Sequence, residues 1–179
     1  SRKVISPFSS YESAHRMALK LQKQGINTVV ARPKKWEVWL EKDAPLPSSI
    51  QSSTLNFMID SEVIPVLKIR NSEIDLAGPV KIQAPDGLSW KGGIYLGPFE
   101  LKADAYGSWT LIEEVPIERY LQGVVPYEIG SSAPSAALSA QAVLARTWAL
   151  SNSHRFVIDG YHLCSDTQCQ VYKNPERAS

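Results

Sequence analysis

The chain has 179 residues, of which 44% are hydrophobic and 21% charged, and its net charge is +1 from 19 basic and 18 acidic side chains. This balance lacks the basic excess by which nucleic-acid-binding proteins attract phosphate, so we expect no nucleic-acid partner. No apolar run approaches the length of a transmembrane helix. A polysaccharide fits better, because sugars are bound by hydrogen bonds and by stacking on aromatic rings, which five Trp and seven Tyr supply.

The two ends of the sequence carry no targeting signal. The chain does not begin with Met, no signal peptide or anchor is visible, and residues 173–179 are polar without a closing element. We therefore expect a mature or recombinant piece of a longer protein, with residues missing after Ser179.

Residues 1–43 show the pattern strand, helix, strand, strand. Ser9 and Glu12 form a candidate capping box, and Gly25 offers a left-handed helix end. Between them lies an apolar stripe at helical spacing, formed by Ala14, Met17, Ala18 and Leu21. With the segment from Phe8 to Ala14, this βαββ element resembles the first half of a SPOR peptidoglycan-binding repeat. A generic α/β element is the alternative, and it is the one that we favour.

Residues 44–114 form a β-rich region that begins with a loop of prolines and serines at 44–53. The apolar residues then recur with a period of two, which predicts strands at 66–70, 80–82, 95–96, 99–103 and 109–112. Because the turns between them are short, we expect an antiparallel meander or a small barrel.

Helical patterns return after Val115. Residues 116–121 predict a short helix ended by Gly123, and residues 124–130 predict an apolar bend that carries Glu128. A longer helix is predicted at about 135–152, and its Ala, Val, Leu and Trp content predicts burial on nearly all sides.

An Arg on such a helix needs an acidic partner, since an unpaired buried charge is costly. Glu118 and Asp166 are the candidates for Arg146. The expected fold is α+β: an antiparallel β-rich region packed with a buried central helix and preceded by the small βαββ element.

Three segments in this part of the chain, in the same order, resemble the SpoIID/LytB family. They are Val115–Glu128, Ala137–Leu150 and Cys164–Tyr172. The resemblance implies that residues 115–179 hold a SpoIID-like catalytic core that is incomplete at its C-terminal end.

The resemblance also implies a lytic transglycosylase, which cleaves glycan strands between N-acetylmuramic acid and N-acetylglucosamine without water, on strands freed of their peptides. An acid protonates the glycosidic oxygen, and the resulting carboxylate then takes the proton of the sugar's own C6 hydroxyl as a 1,6-anhydro ring closes. Hydrolases need a second carboxylate, whereas one Glu suffices here. The resemblance implies that Glu128 is the catalytic residue, and Glu128 is the only acid between Arg119 and Asp159. No cofactor is required.

The surroundings of Glu128 decide whether it can hold its proton near neutral pH. Apolar neighbours such as Val124, Val125 and Ile129 would favour the protonated form by desolvation. The N-terminus of the following helix would favour the charged form. The alternative to catalysis is a helix-entry carboxylate that only interacts with the helix dipole.

Other residues are predicted to bind glycan from the same resemblance. Arg146 has a purely structural role as its alternative. The family often has Lys where this chain has Ser139, so any role of that Lys must be absent or filled by another residue. The predicted set is Tyr127, Gln141, Arg146, Thr147, Asp166, Thr167, Gln168, Gln170 and Tyr172.

The two cysteines have three interpretations. Cys164 and Cys169 could bind a structural zinc with His162, or with His154 in its place, and the resemblance implies zinc binding in relatives with this cysteine pair. They could also form a local disulfide in an oxidising compartment, or remain free thiols. We rank zinc slightly ahead of the disulfide.

The resemblance implies a periplasmic or extracellular, wall-associated protein whose partners are peptidoglycan glycan strands. LytB relatives are described as amidase enhancers. A non-catalytic wall-binding module, or an activator of an N-acetylmuramoyl-L-alanine amidase, is therefore the alternative function.

Overall fold

The computed structural model describes residues 1–55, 66–76, 78–90 and 93–173. The chain divides into two compact units, one of residues 1–61 with 155–160 and the other of residues 62–154 with 161–179. Antiparallel sheets and helices build the described part, which confirms the α+β class. The three-part division of the sequence at 1–43, 44–114 and 115–179 stays a prediction, and residues 174–179 of its last part lie outside the described residues.

The first unit contains the expected strand–helix–strand–strand order and one further strand. Its sheet has the order β2-β3-β1-β4, and each pair of neighbours is antiparallel. Helix α1 buries Ala14, Ala18 and Leu21, the stripe that its spacing predicted. The elements are β1 (Arg2–Phe8), α1 (Tyr11–Gln22), β2 (Thr28–Ala31), β3 (Trp36–Glu41) and β4 (Ser53–Leu55).

The N-terminal cap of α1 lies one residue later than the sequence predicted. Ser10 caps the helix, because its hydroxyl oxygen accepts a hydrogen bond from the Ser13 backbone N–H at 3.2 Å, and Ser13 bonds back to the Ser10 backbone. Glu12 is therefore not the reciprocal partner of Ser9. Its carboxylate instead forms an ion pair with Arg155.

Residues 155–160, which follow the long helix of the second unit in sequence, complete the core of the first unit. Phe156 is 2% exposed, and its ring centroid lies 5.3 Å from that of Trp36. Arg155 is 7% exposed, and its guanidinium lies 4.8 Å from the centroid of the Tyr11 ring. The pairing with Glu12 provides the compensation that a buried Arg requires.

The β-rich region has the predicted antiparallel strands, arranged in separate small sheets. In the described residues, β11-β10-β7 form one sheet, while β5 with β6 and β8 with β9 form two hairpins, and none closes into a barrel. The strands are β5 (Val66–Ile69), β6 (Ser72–Asp75), β7 (Val80–Ile82), β8 (Leu88–Trp90), β9 (Gly93–Tyr95), β10 (Phe99–Ala103) and β11 (Trp109–Glu113).

The predicted short helix and bend are one continuous helix, α2 (Ile117–Ile129), so that prediction was wrong. Gly123 does not end the helix but lies inside it, buried against another segment of the chain. The turn occurs at Gly130, whose φ of 87° is in the region that favours glycine. Glu128 is therefore on a helix rather than in a bend.

Helix α3 (Ser135–Ser151) has nearly the predicted length but not the predicted burial. Only Ala145 and Ala149 are buried, whereas Val143 is 59% and Leu144 64% exposed. The expectation of burial on nearly all sides was wrong because, in the described residues, α2 is the helix that packs on α3, and it covers one face. None of the described helices has the length and apolar character that crossing a bilayer requires.

Replacing Phe156 with Ala tests whether residues 155–160 belong to the first unit. We expect a loss of about 3 kcal/mol in that unit's free energy of unfolding, because a buried aromatic side chain is removed. Urea titration followed by tryptophan fluorescence measures it, since Trp36 contacts the ring. Val157→Ala is the control, because Val157 is 70% exposed, and it should change stability by less than about 0.5 kcal/mol. Equal effects of the two variants would contradict the assignment.

Candidate functional site

Glu128 is the last residue but one of α2, and its side chain is exposed. Of the apolar residues expected to desolvate it, Val124 and Val125 are buried in the core that α2 forms with α3, and Ile129 is 40% exposed. The helix end at Glu128 is a C-terminus, whose partial negative charge disfavours a carboxylate. The Glu128 carboxylate is therefore exposed at a helix C-terminus rather than enclosed in an apolar pocket.

Three tyrosines pack together beside α2. Tyr172 is 9% exposed, and its ring stacks on that of Tyr120 with centroids 5.4 Å apart and an interplanar angle of 20°. Tyr95, at the end of β9, meets Tyr172 at a centroid distance of 6.1 Å. The three rings therefore join a strand, a helix and the segment after the cysteines into one aromatic cluster.

Gln170 is tied to this aromatic cluster by a hydrogen bond. The Tyr120 hydroxyl donates to the Gln170 side-chain oxygen at 3.1 Å, and Gln170 is buried. The structure thus buries two of the predicted glycan-binding residues, Gln170 and Tyr172, in the second unit. Their observed contacts fix the position of α2 relative to residues 170–173.

The Tyr120 hydroxyl lies within electrostatic reach of Glu128. Burial raises the pKa of Tyr120 to about 12, and the negative charge of Glu128 adds to the shift. Tyr127 lies next to Glu128 in α2, half-buried, and the Lys173 ammonium lies 5.0 Å from the centroid of its ring. An aromatic face and a cation therefore accompany the candidate acid.

Arg146 has the acidic partner that the sequence called for. Its Nη2 lies 2.7 Å and 2.8 Å from the two carboxylate oxygens of Glu118, and its Nε lies 3.2 Å from Oε1. Because the Glu118 side chain is largely exposed, the pair contributes little to stability. Its fork geometry orients α3 against α2, which is the structural role given as the alternative to glycan binding.

The remaining predicted residues lie on α3 or in the cysteine loop. Gln141 is half-buried, and the Thr147 hydroxyl donates to the Val143 carbonyl oxygen at 2.8 Å within the helix. Asp166 accepts a hydrogen bond from the Gln168 backbone N–H at 2.8 Å, which shapes the loop. Ser139 and Thr167 are exposed.

Cys164 and Cys169 form a disulfide, with their Cα atoms 5.8 Å apart. The disulfide is the second of the three interpretations that the sequence allows, and zinc ranks slightly ahead of it on the sequence alone. In the described part of the chain, no group of three or more His, Cys, Asp or Glu side chains is placed to hold a metal. Zinc ligation with His162 or His154 stays a prediction, and it would require the two thiols in their reduced form.

Sequence reasoning missed Tyr120, Tyr95 and Glu113. Tyr120 lies within the first of the three motifs. Its spacing to Glu128 along a continuous helix indicates that the two residues belong to one element, whereas a helix that ends at Gly123 separates them. Tyr95 ends strand β9 and Glu113 ends strand β11. Nothing in the local pattern reveals that Tyr95 contacts Tyr172 or that one oxygen of Glu113 is buried.

Residues 105–179 match the SpoIID family, described as "Stage II sporulation protein". The resemblance predicted from the three motifs is thereby confirmed for this segment. SpoIID is a cell-wall-related family associated with peptidoglycan hydrolysis.

A curated relative, an uncharacterized protein of Brachyspira hyodysenteriae, is 31% identical over 96 residues, which are 51% of this chain and 24% of the relative. The chain thus spans about a quarter of the length of that relative. No solved structure matches the chain.

Tyr120→Phe tests the burial of the Tyr120 hydroxyl through the pH dependence of stability. A tyrosine whose pKa rises from 10.0 to about 12 on folding stabilises the fold below pH 10, and this contribution is lost as the pH rises towards 12. Between about pH 9 and about pH 11.5, the free energy of unfolding measured with urea should therefore fall less in Tyr120→Phe than in the wild type. The difference should be on the order of 1–2 kcal/mol.

At neutral pH the same variant should be about 1 kcal/mol less stable than the wild type, because the hydrogen bond to Gln170 is lost. Equal losses of stability in the wild type and in Tyr120→Phe across the alkaline range would contradict the burial of the Tyr120 hydroxyl.

Proposed function

We propose that residues 105–179 belong to a peptidoglycan lytic transglycosylase that uses Glu128 as its acid and base. The observation that carries the proposal is an exposed carboxylate at the end of α2, next to Tyr127, within the segment that matches SpoIID. The substrate class is a glycan strand of alternating N-acetylglucosamine and N-acetylmuramic acid, with peptide-free strands as the preferred form.

The proposed reaction needs one carboxyl group. The Glu128 carboxyl gives its proton to the glycosidic oxygen, and the bond between that oxygen and C1 of the muramic acid breaks with an oxocarbenium-like charge on the sugar. The C6 hydroxyl of the same sugar then attacks C1, and Glu128 takes back the hydroxyl proton. The products are a free glucosamine end and a 1,6-anhydro-muramoyl end, and the acid is regenerated.

The contacts around Glu128 support this chemistry. An exposed acid can reach a polymer too large to enter a closed pocket. The Tyr127 ring offers a half-buried face for sugar stacking, and the adjacent Lys173 ammonium suits the lactyl carboxylate of a peptide-free muramic acid.

The proposed site of action is the cell wall, in the periplasm or outside the cell. The Cys164–Cys169 disulfide fits such an oxidising compartment. The proposed partner is the peptidoglycan glycan strand, without a required cofactor. A wall-binding module or an activator of an N-acetylmuramoyl-L-alanine amidase is the second candidate, and the following experiment separates it from an enzyme.

Glu128→Gln should abolish the release of anhydro-muramoyl ends from peptide-free glycan strands, with a rate loss of at least about 100-fold. The substitution keeps the shape of the side chain and removes its proton. Mass analysis of the digested strands distinguishes anhydro ends from hydrolysed ends, which are heavier by one water.

Glu114→Gln is the matched control, because Glu114 is exposed and lies outside the proposed site, and it should retain full activity. The enzyme proposal fails if the wild-type chain releases no anhydro ends. It also fails if Glu128→Gln releases as many as the wild type. Glycan binding or amidase stimulation that survives Glu128→Gln, in a chain without cleavage activity, would establish the second candidate.

A further inference from the structure

Glu113 is a half-buried acid that the proposed reaction does not use. It is the last residue of β11, and its Oε1 accepts a hydrogen bond from the Gly97 backbone N–H at 3.1 Å. Its other oxygen, Oε2, is buried and has no hydrogen-bond partner among the described residues. A carboxylate oxygen in that state is costly, so its surroundings should contain a donor that can reach it.

The hydroxyl of Tyr172 is the complementary group. It too is buried without a hydrogen-bond partner in the described ranges. After burial, which is the largest cause, the charge of Glu113 raises the pKa of Tyr172. Val115, two residues after Glu113, packs against the core cluster that contains Tyr172. This packing brings the two buried oxygens to the same part of the unit, where one is an O–H donor and the other a carboxylate acceptor, so a small adjustment lets each satisfy the other.

Tyr172 connects this pair to the candidate acid. Its ring stacks on Tyr120, the hydroxyl of Tyr120 is bonded to Gln170, and Tyr120 precedes Glu128 on α2 by about two helical turns. A group that fixes the Tyr172 hydroxyl therefore fixes the stack against the helix that carries Glu128.

We propose that Glu113 is a positioning residue, whose carboxylate accepts a hydrogen bond from the Tyr172 hydroxyl and thereby holds the Tyr172–Tyr120 stack in register with Glu128. The hydrogen bond stands independently of any activity. Its consequence for catalysis rests on the proposed function.

Glu113→Gln removes the charge while retaining a side-chain oxygen for the Gly97 N–H, so the strand end is preserved. Glu114→Gln is the control, because it removes a charge at the next residue, whose side chain is exposed. Tyr172→Phe keeps the ring and removes only the hydroxyl. Circular dichroism confirms that each variant is folded, and Tyr172→Phe decides the question should Glu113→Gln not fold.

The direct readout is NMR of the chain labelled with ¹³C at the tyrosine Cζ, with the Tyr172 resonance assigned from its absence in Tyr172→Phe. A hydroxyl that donates to a carboxylate has its Cζ resonance shifted downfield. We expect this shift for Tyr172 in the wild type, its reduction in Glu113→Gln, and no change in Glu114→Gln. A Tyr172 resonance that does not respond to Glu113→Gln would overturn the proposal.

The functional readout is the kinetics of anhydro-end release. Glu113→Gln and Tyr172→Phe should each lower kcat by about tenfold, with KM within about twofold, and the double variant should be no worse than either single one. A changed Tyr172 resonance with unchanged kcat would overturn the positioning role. A wild-type chain that shows the resonance shift but releases no anhydro ends would refute the proposed function and leave the hydrogen bond established.

Discussion

The close approach of residues 172–173 to the middle of α2 is the contact on which the arrangement around Glu128 depends. The Lys173 backbone N–H donates to the Gly123 carbonyl oxygen at 2.9 Å. A Cβ at Gly123 would overlap the Lys173 carbonyl oxygen and would lie 2.5 Å from Cε2 of Tyr172. Only glycine leaves room for this packing. A glycine inside a helix costs about 1 kcal/mol relative to alanine, and burial of the Tyr172 ring offsets that cost.

The remaining contacts follow from this one. With Tyr172 against Gly123, its ring reaches Tyr120 and Tyr95 and enters the core with Leu121, Val124, Val125 and Ala145. Gln170 comes within hydrogen-bonding distance of Tyr120. The inward face of α2 is thereby fixed, and its C-terminal end presents Glu128 to solvent. A rigid support beneath an exposed acid is what a reaction on a long polymer requires.

Local patterns in the sequence determine much of the fold. The apolar stripe of α1, the alternation in the β-rich region and the bounds of α3 were all predicted, as was Glu118 as a partner for Arg146. Other features depend on residues distant in sequence. Gly123 resembles a helix terminator until Tyr172 is placed beside it, and the burial of Arg155 and Phe156 depends on α1 and β3. The apolar composition of α3 predicted burial, but composition does not show how many faces have a partner. Disulfide and zinc required the same cysteine pair, so the sequence did not decide between them.

Gly123→Ala tests the contact between α2 and residues 172–173 most directly, because two effects predict opposite signs for the change in the free energy of unfolding. Helix propensity alone predicts a gain of about 1 kcal/mol in the free energy of unfolding. The packing against Tyr172 and Lys173 predicts instead a loss of about 2 kcal/mol or more, because a buried contact is overpacked. Urea unfolding of Gly123→Ala, with the exposed neighbour Gln122→Ala as the control for propensity, measures the difference. A destabilised Gly123→Ala beside an unchanged or stabilised Gln122→Ala is the predicted result, whereas stabilisation by both variants would contradict it.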